Sequence, residues 1–198
     1  MIEFLYGIDK AVFLFINQTV SNPVGDVLWP LITDYDKLWP VRIVLATVWL
    51  WLVIKGGRTG RTAALMLIPL LVVSDQLSST FIKSLVGRVR PCDTFSADQI
   101  HLLVGCGGFS FPSSHAVNNF SVATMFSHFY PKWRWAFFSW ATLVALSRPA
   151  VGVHYPSDIL GGAVIGACVA LLVIHAWSAV ERRFFPIKTV TLKDEAHA

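Results

Sequence analysis

Three short stretches hold residue types whose combination could do phosphoryl chemistry. Lys83 precedes Arg90-Pro91 in KSLVGRVRP, Pro112-Ser113-Ser114-His115 follows, and Ser147-Arg148 leads to His154 and Asp158 in SRPAVGVHYPSD. A phosphate bearing up to two negative charges must be held by fixed cations before a nucleophile can approach it, and Lys83, Arg90 and Arg148 can form that cradle. A helix starting near Ser113 and Ser114 adds unpaired backbone N–H groups and the positive end of its dipole, a ready anion site. A neutral imidazole can attack phosphorus in line if an acceptor orients its other nitrogen; His154 is the candidate nucleophile and Asp158 its partner. Pro156 prevents a regular helix from running through residues 154 to 158, so the chain can turn and bring Asp158 back to His154. His115 is then available to protonate the leaving oxygen and later to activate water.

The elements that must position these residues follow from composition. Of 198 residues, 55% are hydrophobic and 14% charged, with eight Trp and fourteen Phe, and mean hydropathy is +0.59. A soluble globule of this size could not hide so much apolar surface, and the same figures exclude a disordered chain, a coiled coil and a disulfide-dense miniprotein. The net charge of +4 comes from Lys and Arg scattered between apolar runs, which argues against nucleic-acid binding. Glu3, Asp9 and Lys10 interrupt the first twenty residues, so no signal peptide is expected there. The expectation is an all-α polytopic transmembrane helical bundle of five to six spans forming one domain over 1–198. Residues 1–37 would be an N-terminal span or interfacial helices, 38–181 the catalytic helical core, and 182–198 a cytoplasmic tail.

Spans of roughly 17–25 apolar residues are read at Leu38–Ile54, Thr62–Ile82, Ala116–Tyr130, Trp133–Ser147 and Ile159–Val180. Gly162, Gly166 and Ala170 repeat every fourth residue in the last, which predicts close packing at the centre of the bundle. Phe4–Val20 is favoured as a sixth span over an interfacial helix, and Pro23–Trp39 reads as an interfacial segment. Lys55, Arg58, Arg61, Lys132, Arg134, Arg182, Arg183 and Lys188 fall on one side by parity, which makes that side cytoplasmic. The three chemical stretches then open together on the opposite face. The expected setting is a bacterial-type inner membrane, with the site on the periplasmic or extracellular side.

Taken as an ordered set, K-x6-RP, PSSH and SR-x5-H-x3-D resemble the membrane-bound type 2 phosphatidic acid phosphatase family, whose site is shared with vanadium haloperoxidases and bacterial acid phosphatases. The resemblance covers residues 83–158 and implies a haloperoxidase-like catalytic core. It implies that His154 forms a phosphohistidine, that Asp158 orients it, that His115 is the general acid, and that Lys83, Arg90, Ser113, Ser114 and Arg148 bind phosphate. No cofactor or metal is implied, in line with the lack of an Asp/Glu cluster suited to Mg²⁺. Ser114 stands where the family pattern has glycine, which leaves the backbone there in question. The implied partner is a membrane lipid phosphate: undecaprenyl pyrophosphate, phosphatidylglycerophosphate, phosphatidate or the 1-phosphate of lipid A, with the chain's small size favouring the first two.

Other residues admit plainer readings. Arg88 falls outside the pattern and reads as a headgroup anchor. Asp75, about 12 Å below the end of its helix, either lines a lipid headgroup cleft or pairs with a neighbouring helix, the second being favoured. His128 and His175 read as structural. Cys92 and Cys106 share the outward loop and could form a disulfide worth roughly 3 kcal/mol. A soluble-substrate phosphatase of the same superfamily is one alternative. A small anion channel or carrier is another, though apart from Asp75 no polar trail crosses the bilayer.

Overall fold

The computed structural model describes residues 2–184, and all its regular structure is helical. Helix α1 (Ile2–Leu14) continues through a π-helical stretch, Phe15–Thr19, and is followed by α2 (Pro23–Thr33), α3 (Trp39–Lys55) and α4 (Gly57–Asp75). A second π-helical stretch, Gln76–Ile82, joins α4 to the short α5 (Lys83–Val86) without a break. After the one-turn α6 (Pro91–Thr94) and an irregular loop come α7 (Ser114–Phe129), α8 (Arg134–Ala150) and α9 (Pro156–Phe184). Of the expected basic tail, Arg182 and Arg183 close α9, while Lys188 lies outside the described residues.

Helices α4, α7 and α9 form the centre. Met66 and Leu70 from α4, Met125 from α7, and Val169, Ala170 and Ile174 from α9 bury one another. The small residues of α9 explain its intimacy with α7. A Cβ added at Gly166 would fall 2.2 Å from the Val117 carbonyl oxygen, and one at Gly162 2.9 Å from that of Ser113. Two helical stretches, Gly57–Thr94 and Pro156–Arg183, are long and apolar enough to cross a membrane. Along α3 and α9, large apolar side chains such as Ile43, Val44, Trp51, Leu160, Val164 and Leu172 face outward.

The two ends of the bundle differ in chemistry. At one end Arg58, at the start of α4, reaches Glu181 on α9 at 3.7 Å, and Gly60 lies beside the Tyr130 hydroxyl at the α7–α8 turn. The basic residues 55–61, 132–134 and 182–183 therefore gather there. At the other end lie the three chemical stretches.

Helix α1, read as a sixth span or an interfacial helix, packs against the site end of the bundle. Asp9 meets Arg88 and Ser157, Phe13 stacks on Phe95 and meets Tyr155 edge to face, and Asn17 donates to the carbonyls of His101, Pro149 and Ala150. These partners all belong to segments at the site end, so α1 lies across that end instead of running beside the other helices. Burying Asp9 and Asn17 is tolerable there because loop backbone and an arginine satisfy them. Helix α2 packs along α8, capped at its start by Asn22, whose side chain accepts from the N–H groups of Val24 and Gly25.

Candidate active site

Each cluster is set in place by a local device. Gly87, at φ +62°, ends α5 in the left-handed region and turns the chain back towards the bundle, carrying Arg88 and Arg90 inward from Lys83. Ser113 caps α7 by accepting from Ala116 N–H, and its own N–H donates to the Asp158 carbonyl at 3.2 Å, tying the starts of α7 and α9 together. Pro156 opens α9, so His154 stands in the loop just before it and Asp158 in its first turn.

The loop thereby returns His154 Nδ1 to within 3.4 Å of Asp158 Oδ2, both side chains being almost fully buried. That carboxylate is a hub. Its Oδ1 accepts from Arg88 Nη1 at 2.6 Å, and its Oδ2 from Ser110 Oγ at 2.5 Å and Tyr155 N–H at 2.8 Å. Burial holds the His154 imidazole neutral, its pKa lowered to about 3; Asp158 opposes that shift, while the positive fields of Arg90 and Arg148 add to it.

The cations converge on the same place. Lys83 feels repulsion from both Arg90 and Arg148, and His115 feels Arg148, His154, Lys37 and Lys83. Arg90 is anchored through Nε to the Gly108 carbonyl at 3.1 Å, and Arg148 through Nη1 to Thr33 Oγ1 at 2.6 Å. Arg148 Nε and Ser114 Oγ are buried with no hydrogen-bond partner among the described residues. A buried donor without an acceptor is costly, and two beside three cations make a strongly anion-seeking pocket. Ser114 is the first residue of α7, and no non-glycine residue among those described has a positive φ. The replacement of glycine therefore leaves the backbone ordinary and adds a hydroxyl.

A cavity of about 700 Å³ opens from His115 and Ser114 down between α3, α4 and α7. Its lower walls are apolar, with Trp49, Leu67, Val122 and Phe126 among them, and Asp75 lines it near the top. Asp75 also accepts from Asn118 Nδ2 on α7 at 3.2 Å, so the carboxylate both faces the cleft and pairs across helices.

Arg88 requires correction. It is no headgroup anchor: its side chain is only 18% exposed and bridges Asp158, Ser157 and Asp9 at 2.6 Å each while stacking on Tyr155. Asp9 in turn accepts from the Ser157 N–H at 2.9 Å, at the start of α9. Ser110 and Thr33 were likewise not singled out, and neither has a distinctive spacing to its partner. Asp9 did carry a signal, since Asp9, Phe13 and Asn17 recur every fourth residue on one helical face, and all three are buried. Cys92 and Cys106 are joined by a disulfide with Cα atoms 6.5 Å apart, bracing the loop between the two first clusters.

Comparisons with known proteins place the chain in a family. The chain is 31% identical over 172 residues to a lipid A 4'-phosphatase of Bacteroides thetaiotaomicron, covering 84% of this chain and 75% of that one. It is 25% identical to the undecaprenyl-diphosphatase BcrC of Bacillus subtilis, covering 84% and 81%. Among solved structures, the transmembrane PAP2-type phosphatidylglycerolphosphate phosphatase of Bacillus subtilis superposes with a TM-score of 0.65 at 21% identity, over 90% of this chain and 88% of that one. The model of the PAP2 superfamily matches residues 62–182, the stretch that contains every one of the three clusters, and the chain belongs to that superfamily.

Proposed function

We propose that the chain is an integral membrane lipid phosphatase that hydrolyses a lipid phosphate or pyrophosphate through a phosphohistidine intermediate. Its superfamily and its relatives, named as phosphatases and diphosphatases of lipids, make it a hydrolase of lipid phosphates. The observation that carries the mechanism is His154, neutral and backed by Asp158 at 3.4 Å, standing among Lys83, Arg90 and Arg148. With Nδ1 turned to the carboxylate, Nε2 is the nitrogen that attacks phosphorus. The P–O bond to the lipid breaks as the N–P bond forms, and the departing oxygen takes a proton from His115. Water, deprotonated by His115, then attacks the phosphohistidine and releases inorganic phosphate. Lys83, Arg90, Arg148, Ser114 and the N–H groups opening α7 hold the phosphoryl oxygens throughout.

The membrane setting belongs to the same proposal. Five spans, α3, α4 with its continuation, α7, α8 and α9, cross the bilayer of a bacterial inner membrane. Helix α1 lies at the outer interface, the site faces the periplasmic or extracellular side, and the basic end and C-terminus are cytoplasmic. The outward apolar side chains of α3 and α9 and the charge segregated to one end support it. The test is phosphate release by purified protein from detergent-dispersed undecaprenyl pyrophosphate, phosphatidylglycerophosphate, phosphatidate and lipid A, with and without EDTA. His154→Ala is expected to release none while keeping its thermal unfolding transition, and full turnover by that variant would remove His154 from the reaction.

A further inference from the structure

The cleft beneath the site is graded, and the grading bears on the lipid. Along α7, Asn118 and Asn119 lie one turn, about 5 Å, beyond His115, while Val122 and Phe126 lie about 10 and 16 Å beyond it. Tyr35 and Asp75 reach this turn through Asn119 and Asn118, Asp36 also lines the cavity, and the remaining walls are largely apolar. The polar groups are held in place. Ser74 Oγ donates to Asn118 Oδ1 at 2.8 Å, Asn118 Nδ2 donates to Asp75 Oδ1 at 3.2 Å, and Ser79 Oγ donates to Asp75 Oδ2 at 3.3 Å. On the other side Tyr35 donates its hydroxyl to Asn119 Oδ1 at 3.2 Å.

A substrate matching this order has a phosphate, then a hydrogen-bonding group within one turn, then acyl chains. Asp75 is an acceptor only, so the ligand must bring O–H or N–H donors to it. A polyprenyl pyrophosphate fails on two counts. Its chain is hydrocarbon from the first carbon and would bring no donor to the remaining lone pairs of Asp75, and its inner phosphate would lie towards the carboxylates of Asp75 and Asp36. Phosphatidate offers ester oxygens and no donor, and phosphatidylglycerophosphate, though it carries a hydroxyl, would set a second anionic phosphate against the same two carboxylates. We infer that the collar of Asp75, Asn118 and Asn119 selects a phosphate monoester carried on a hydroxyl- and amide-bearing sugar, the headgroup chemistry of lipid A, with Asp75 accepting from the sugar. This rests on the lipid phosphatase reading above and narrows it.

The test compares kcat/KM of the full-length protein on lipid A, undecaprenyl pyrophosphate and phosphatidate in one detergent, for the wild type, Asp75→Leu and Asp75→Asn, with phosphatidylglycerophosphate as a fourth substrate for the wild type. Losing a hydrogen bond to a charged group costs about 10- to 100-fold. The wild type is expected to prefer lipid A over the other two by at least about 10-fold, and Asp75→Leu to reduce that preference by about 10-fold or more. Asp75→Asn, which keeps shape and an acceptor oxygen, falls between them and serves if the leucine variant does not fold. A wild-type preference for either other lipid overturns the inference. So does an equal loss on all three lipids in the variants, which would mean that Asp75 acts only through Lys83. A wild-type preference for phosphatidylglycerophosphate likewise overturns the inference, and failure of the wild type to release phosphate from all four lipids would sink the phosphatase reading itself, and this inference with it.

Discussion

Replacing Arg88 by Met keeps the stem and removes the guanidinium, and the structure fixes what that should do. The guanidinium donates at 2.6 Å to Asp9, Ser157 and Asp158, and the side chains of Asp9 and Asp158 are 10% and 0% exposed. Removing one partner of a buried ion pair costs about 3–5 kcal/mol because the other charge is stranded. Arg88 is itself 18% exposed, so water can reach Asp9, which puts the cost at the low end, about 3 kcal/mol. For a chain of this size that corresponds to a fall of about 6–12 °C in Tm, read by thermal unfolding in detergent. Asp158 keeps Ser110 and the Tyr155 N–H on Oδ2 but loses Arg88 from Oδ1, freeing the carboxylate to rotate away from His154. Loss of this orientation should lower kcat by about 10-fold with little change in KM, since Arg88 is not placed against the phosphate. Arg88→Lys restores charge but not the three-way fork and should recover part of both effects. Unchanged Tm and kcat in Arg88→Met would refute the hub and return Arg88 to the role of an interfacial anchor.

Other expectations concern pH, packing and the loop. His154 is buried neutral with its pKa down at about 3, so its contribution to stability is complete above the unfolded imidazole value of about 6.5 and is lost as pH falls towards 3, by up to about 1.4 kcal/mol per unit. The Tm of the wild type should therefore drop between pH 7.5 and 5 by more than that of His154→Gln, and parallel curves would contradict the neutral, buried imidazole. Gly166→Leu must push α9 off α7, because even a Cβ would sit 2.2 Å from the Val117 carbonyl, and should abolish folded protein in size-exclusion profiles. Converting Cys92 and Cys106 both to Ser opens a loop spanning 14 residues and should cost about 3 kcal/mol, visible as a lower Tm that reductant no longer changes.

What could be read from the chain alone was what short-range geometry dictates. Pro156 breaks the helix wherever α9 goes, so the separation of His154 from Asp158 already implied a loop followed by a first helical turn. The Gly162–Gly166–Ala170 stripe implied a close neighbour for the same reason, and the parity of apolar runs implied that the basic turns share one end. The hub around Asp158 was hidden because its members are distant in sequence: Arg88 is 70 residues away, Ser110 48, and Asp9 reaches Ser157 across 148. No periodicity links such partners. The packing of the N-terminal helix was not legible because a face carrying Asp9, Phe13 and Asn17 has the same spacing whether it crosses a bilayer or lies over loops. Only the partners decide, and the partners are a loop carbonyl, the last carbonyls of α8, and Arg88.

The widened winding between Asp75 and Lys83 joins two jobs within one uninterrupted rod. In an α-helix each residue advances the azimuth by roughly 100°, and looser coiling over Gln76–Ile82 changes the accumulated rotation before Lys83. The acid and the amine are thus aimed independently, one into the crevice and the other at the anion, although eight positions of a single rod separate them. Shortening this segment by one residue would swing the amine away while leaving the acid where it is. Tolerance to insertion and deletion should accordingly be poorest here, in a stretch whose side chains touch neither reacting atom.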